Sequence, residues 1–334
     1  MSVDSTVQAG GAAAPKERAA RQRPRFLRAF PQYAGLVVVL VAIVIFAAVR
    51  SDAFLTSTNL LNVLRQISVM AIIAAGLTLL MTAGGMDFSL GSNVAVTVAV
   101  GAQLIVHDKP MWQAIAVSMV IAAFIGLVNG LVVTFTKVAP FVVTLATATL
   151  LDGVALLVMD GQSVSIGTHL FELGNGTFLG LPNLLILALL VLGGTALVMR
   201  FTTFGRDAFA IGGNEDVARL SGISVSRNKL ILYTLGGVLS GLAGIMLLSR
   251  LGASSPGTGG LPLQLNAVAA VVIGGTSLEG GKGTIFGTTL GIILLGIVAN
   301  VLNLLQISSN YQLVAVGAVL LVAAIANQLQ NRRR

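Results

Sequence analysis

Long apolar runs, separated by short gaps, constrain this chain more than any other feature. They occupy approximately residues 33–49, 66–83, 92–107, 111–133, 138–159, 183–199, 230–250, 263–275, 284–304 and 310–327. A helix needs about 20 apolar residues to cross a bilayer, so most of these runs are spans or near-spans. Lipid offers no hydrogen-bond partners, and each span must therefore satisfy its own backbone. The short alternating segments of a membrane β-barrel are missing. The pattern predicts an all-α integral membrane protein of about 10 transmembrane helices. Some are short or broken: 263–275 is too short alone and reads as a half-helix or as one extended through its glycine-rich flanks. Leu60, Val63, Leu64 and Ile67 recur at helical spacing ahead of the second run, and either lie along an interface or lengthen that helix.

Charge supports the same class. Only 10% of the residues are charged, against about 25% in an average soluble domain. The net charge of +8 would suggest nucleic acid in a soluble chain. Here the Lys and Arg residues fall between the runs, where they report topology. With both termini in the cytoplasm, the inner segments hold 16 of the 20 cations. Arg50, Arg65, Lys109 and Arg250 fall outside. The loop 160–182 has no Lys or Arg, which suits an external loop. Residues 1–32 form a basic, Ala-rich tail without apolar periodicity, and the first span reads as retained rather than cleaved as a signal peptide. The transmembrane domain then covers 33–327, and 328–334 is a second basic cytoplasmic end.

There is no cysteine, and the two histidines, His107 and His169, lie far apart. No metal site, cofactor or catalytic centre is expected, and nothing resembles a Ser–His pairing or an acid/base pair for an intramembrane enzyme. A phosphate loop would read G-x-x-x-x-G-K-[ST]. Around Gly281-Lys282 the first glycine is replaced by Thr276 and the final hydroxyl residue by Gly283, so ATP hydrolysis would have to come from a partner.

Three segments stand out between the spans. The loop 200–229 contains Gly205, Arg206, Asn214, Glu215, Val217, Ala218, Arg219, Leu220 and Gly222. Asn214 is a good N-cap, Glu215 and Asp216 put negative charge on the first turn, Arg219 puts positive charge near the last, and Gly222 can stop the helix. A two-turn helix with Val217 and Leu220 on one face suits either a docking element or a plain connector. The second segment is Gly84-Gly85-Met86-Asp87-Phe88-Ser89-Leu90-Gly91; the third runs from Gly274-Gly275 through Gly280-Gly281. Both read G-G-x5-G after an apolar run, a faint repeat that would signal an internal duplication. Asp87, with Ser89 assisting, is expected to cap the third span; direct substrate contact and proton carriage are the competing roles. Asp152, within the fifth run, should face protein or water and make a structural hydrogen bond. Gly126/Gly130, Gly237/Gly241 and Gly287/Gly291 are small-x3-small faces for helix packing or for a dimer seam. Asn266, Asn300 and Asn303 are polar groups that could meet the hydroxyls of a passing solute or bond between helices.

These motifs together resemble a known family: the permease subunits of bacterial ATP-binding-cassette (ABC) sugar importers, in the ribose/xylose/arabinose/galactose branch. The matches are G-G-M-D-F-S-L-G-S at 84–92, the loop 205–223, and G-G-T-S-L-E-G-G-K-G-T at 274–284, the last shared with branched-chain amino-acid permeases. The similarity covers roughly 33–327. Phe88 stands where the family more often has leucine, and Leu90 where it often has valine. The resemblance implies a multi-pass protein of the bacterial inner membrane that pairs with a second permease subunit as a homodimer. It implies a cytosolic ATP-binding subunit docked on 205–222, and an extracytoplasmic sugar-binding protein that delivers a monosaccharide. An ion-coupled secondary carrier and an ABC permease for another small solute, such as branched-chain amino acids, are the alternatives.

Overall fold

The structure is a computed structural model that describes residues 25–136 and 138–308, together with Tyr311, Val314, Gly317, Ala318 and Leu321. The tail before residue 25, most of the last run (310–327) and the basic end 328–334 lie outside the described residues.

Seven helices are long and apolar enough to cross a membrane. They are α1 (Arg25–Arg50, its apolar part opening at Tyr33), α2 (Ser57–Thr82), α4 (Met111–Phe135), α5 (Pro140–Val158), α7 (Asn183–Phe201), α10 (Val225–Leu251) and α12 (Ile285–Leu304). Two shorter apolar helices, α3 (Leu90–Val106) and α11 (Gly260–Ile273), complete the described bundle. At 1.5 Å per residue the 14 residues of α11 reach only about 21 Å, less than the roughly 30 Å hydrocarbon core, so α11 is a half-helix. The residues around Leu60 do not lie along an interface: they lengthen α2, whose N-cap Thr56 accepts from the Asn59 N–H.

The loop between α7 and α10 holds two helices, α8 (Thr203–Gly213) and α9 (Glu215–Leu220). The opposite end of the bundle carries α6 (Phe171–Asn175) and four two-residue strands, β1 (Val164–Ser165), β2 (Thr177–Phe178), β3 (Leu181–Pro182) and β4 (Ala253–Ser254), paired β1 with β4 and β2 with β3.

α2 and α10 form the centre. Every residue of α2 from Ile67 to Thr82 is buried. The outer helices instead show large apolar side chains to their surroundings, among them Phe124, Leu157 and Leu190. Such surfaces suit a bilayer and not water. The small-residue faces account for the close packing inside. A Cβ on Gly126 or Gly237 would strike the other helix's backbone, and one on Gly291 would strike Ala270. These pairs are internal seams: α4 meets α10 through the first and α12 meets α11 through the second. In the core, the Thr78 and Thr288 hydroxyls share a 2.7 Å hydrogen bond between α2 and α12.

Candidate functional site

Three features lie along the bundle from the α8–α9 end to the opposite end: a glycine junction, a buried polar network and an amide-lined cleft.

At the junction, Thr202 and Asn214 punctuate the loop. The Thr202 hydroxyl accepts from Gly205 N at 3.1 Å and starts α8; the Asn214 side chain accepts from Val217 N at 3.0 Å and starts α9. Asn214 is therefore the cap that its sequence position suggests, and Gly222, at φ +85°, closes the segment. The 11-residue α8 before it is not legible as a helix in the sequence, because three of its residues, Gly205, Gly212 and Gly213, are glycines that read as loop; its Ala208 and Ile211 nevertheless share one buried face. Glu215 binds Arg219 at 3.1 Å and Lys229 at 2.6 Å, tying α9 to the start of α10. Ala218 turns inward onto Ile211 and Val225, while Val217 and Leu220 stand 58% and 89% exposed.

α8 ends against both Gly-Gly loops. A Cβ on Gly212 would collide with the Thr82 carbonyl and the Gly281 N–H, and those two groups are themselves bonded at 2.9 Å. A Cβ on Gly280 would come within 2.8 Å of the Gly84 Cα and within 2.9 Å of the Gly212 Cα. Gly84 and Gly280 also hold φ values of +74° and +92°, open to glycine at little cost. The three sequence segments singled out above thus meet backbone to backbone.

One turn into the bundle lies the polar network. Asp87 does not cap α3 through the N–H groups of its first turn. Its Oδ1 accepts from the Ser89 N–H (2.8 Å) and the Ser89 hydroxyl (2.6 Å), a local turn that positions the N-cap residue Ser89. The Asn129 amide of α4 donates to the Ser89 hydroxyl at 2.7 Å, and the Thr147 hydroxyl of α5 donates to Asn129 Oδ1 at 2.8 Å. From α11, Gln264 donates to the Asp87 carbonyl (2.7 Å) and accepts from the Gly91 N–H (2.9 Å). Gly91 leaves room for this, since a Cβ there would lie 2.8 Å from the Gln264 Cβ. Asp87 Oδ2 has no hydrogen-bond partner among the described residues. Burial pushes the Asp87 carboxyl above the ordinary carboxylate value; the Ser89 side chain and backbone, then the nearby Asn129, pull the other way.

The cleft of about 360 Å³ opens toward the end that carries α6. Asn59, Asn62, Arg65 and Gln66 line it from α2, Arg250 from α10, and Asn300 and Asn303 from α12. Asn300 is not free: it exchanges two hydrogen bonds with Asn59, at 2.7 and 3.0 Å. Asn303 lines the cleft, and Asn266 lines a smaller cavity of about 150 Å³, one turn deeper, that shares Gln66 and Arg250. Asp152 lies elsewhere, half-buried beside Gly260 in a separate cavity, and the structural hydrogen bond expected of it is not made among the described residues. The described residues include no cluster of metal-ligating side chains.

The family model for the permease component of branched-chain amino acid transport systems matches residues 59–324. The chain belongs to that permease family. The permease is 42% identical to the ribose import permease protein of Bacillus subtilis and 39% identical to that of Haemophilus influenzae, each over 90% of this chain and 94% of the relative. It is 35% identical to the L-arabinose transport system permease protein of Escherichia coli, over 99% of both. No solved structure gives a significant match.

Gln264 and Asn129, which knit the polar network, and Arg65 and Arg250, which line the cleft, are not marked as site residues by the sequence. The signal for the first two was an amide inside an apolar helix, where burial without a partner is costly. For the arginines it was their place among the four cations that the charge distribution expects outside.

Proposed function

We propose that this permease is the transmembrane subunit of an ABC importer, moving a monosaccharide delivered by an external binding protein and driven by a separate cytosolic ATPase. The observation that carries the coupling is the exposure of Val217 and Leu220 on α9, an apolar face outside the spans, on a segment whose neighbour α8 abuts both Gly-Gly loops. The solute class rests on the relatives, which by name are permeases for ribose import and for L-arabinose and D-allose transport and align along most of the chain. That favours sugar over the branched-chain amino acids of the family description.

In this reading an ATPase grips Val217 and Leu220. Movement of α8 bears on Thr82 and Gly281, and so on the inner ends of α2 and α11 together. Gln264 carries the same displacement to the Asp87 loop, and the cleft between α2, α10 and α12 opens or closes. Two copies of the permease form the transporter in the inner membrane, with the termini and 200–229 in the cytoplasm.

The test is a Val217→Asp/Leu220→Asp double variant. Both side chains are exposed, so folding should change little, and membrane yield should stay normal. The ATPase should no longer co-purify. Co-purification at the wild-type ratio would refute the docking role.

A further inference from the structure

The amide-lined cleft has an unbalanced charge. Arg65 and Arg250 both line it, near enough for their charges to act on each other. Neither this cleft nor the deeper cavity is lined by an Asp or Glu among the described residues. Arg65 is held in place: it donates to Asn62 Oδ1 at 3.2 Å and to the Asn175 carbonyl at 2.8 Å, while its Nε is buried without a partner. Arg250 is half-buried and has no hydrogen bond or ion pair among the described residues. Guanidinium groups only donate, and they match a carboxylate with two parallel hydrogen bonds. A half-buried, unpaired cation beside another of the same sign is costly unless a ligand compensates it. The other open groups, the Gln66 and Asn303 side chains, both donate and accept, as hydroxyls require. The volume suits a small molecule.

We propose that the cleft takes a monosaccharide-sized hydroxylated anion, its carboxylate on Arg65 and Arg250 and its hydroxyls on Gln66 and Asn303. The deeper cavity, where Arg250 and Gln66 also reach, is the next station inward, with Asn266 as its polar group. This deepens the sugar-importer reading and rests on it: the solute class becomes a sugar acid and not a neutral sugar. Arg65 and Arg250 are then the residues that set specificity by charge. Two of the four cations outside are thereby accounted for by ligand chemistry.

The test uses the complete transporter, with its own ATPase and binding protein, in proteoliposomes containing ATP. Uptake is measured for two sugar acids, D-gluconate and D-galacturonate, and two neutral sugars, D-ribose and D-galactose. Wild-type transporter should concentrate an acid and leave the neutral sugars behind. Arg250→Gln and Arg65→Gln should each cut acid uptake roughly tenfold, the loss expected for one charge-assisted contact, while Arg250→Lys, which keeps the charge but not the paired hydrogen bonds, should fall between Arg250→Gln and wild type. Should Arg250→Gln fail to assemble, Arg65→Gln carries the test. Uptake of a neutral sugar with exclusion of both acids would overturn the proposal and leave the sugar reading standing, as would acid uptake unchanged by both Gln variants. An assembled, ATP-hydrolysing wild-type complex that moves neither class would defeat the sugar reading itself, and the proposal with it.

Discussion

Gln264 reaches from the half-helix α11 to the backbone of Asp87, donating at 2.7 Å across 177 positions of sequence, and its other amide atom takes the Gly91 N–H. One fully buried side chain thus fixes the entry to α3 from the opposite half of the chain. Gln264→Leu keeps the size and removes both bonds, leaving a buried carbonyl and N–H unsatisfied. That should cost about 2–4 kcal/mol, two unsatisfied groups at the low end of their range. Thermal unfolding of the detergent-purified permease checks it; an unchanged unfolding temperature would mean that the clamp carries no weight.

Gly212 and Gly213 are adjacent and make opposite predictions. A methyl on Gly212 has the Thr82 carbonyl in its way, whereas one on Gly213 meets nothing within 4 Å. Gly212→Ala should force α8 off the Gly-Gly loops and lower ATP-driven uptake at least about tenfold, a change of about 1.4 kcal/mol. Gly213→Ala should transport like wild type. Equal activity of the two variants would remove the junction from the coupling path.

Asp87 carries a pH signature. Burial raises its carboxyl above the ordinary 3.8, so the folded permease binds this proton more tightly than the unfolded chain does. The resulting stabilisation is fully present below the ordinary value and is lost as pH rises through the raised one. Asp87→Asn keeps the acceptor for both Ser89 donors and cannot ionise. Its unfolding temperature should therefore lack this component of pH dependence and should exceed that of wild type at high pH. It should also largely retain uptake; complete loss of uptake in an assembled complex would require that the group titrate during transport.

Leu220 and Leu179 test the orientation. They are 89% and 88% exposed, at opposite ends of the bundle, and the chain has no native cysteine. With an impermeant thiol reagent on intact cells, Leu179→Cys should label and Leu220→Cys should label only after lysis. The reverse pattern would invert the topology.

The helices were legible in the sequence wherever a single rule decided them. Apolar length placed the long spans, and Asn214 with Gly222 bounded α9. Sites made by tertiary approach were not. Gly84, Gly212 and Gly280 lie in three separate segments, and no local pattern tells that their backbones touch. Asp87 beside a helix start suggested a cap, but only its Oδ1 is bonded, to Ser89 two residues on, while a first-turn N–H of α3, that of Gly91, is taken by Gln264 from the distant α11. Asn300 admits two readings from sequence, a partner for hydroxyls or a bond between helices; its pairing with Asn59 is the second, and it depends on α2 extending past its apolar run to Ser57, one of the two options that the spacing of Leu60, Val63 and Leu64 offers.

The central claim, an ATP-driven sugar permease coupled through α8–α9, is tested most directly by uptake into proteoliposomes holding the permease with its ATPase and binding protein. Sugar uptake should require enclosed ATP and the binding protein and should survive a protonophore. Uptake that continues without ATP and collapses with the protonophore would contradict the account and identify an ion-coupled carrier instead.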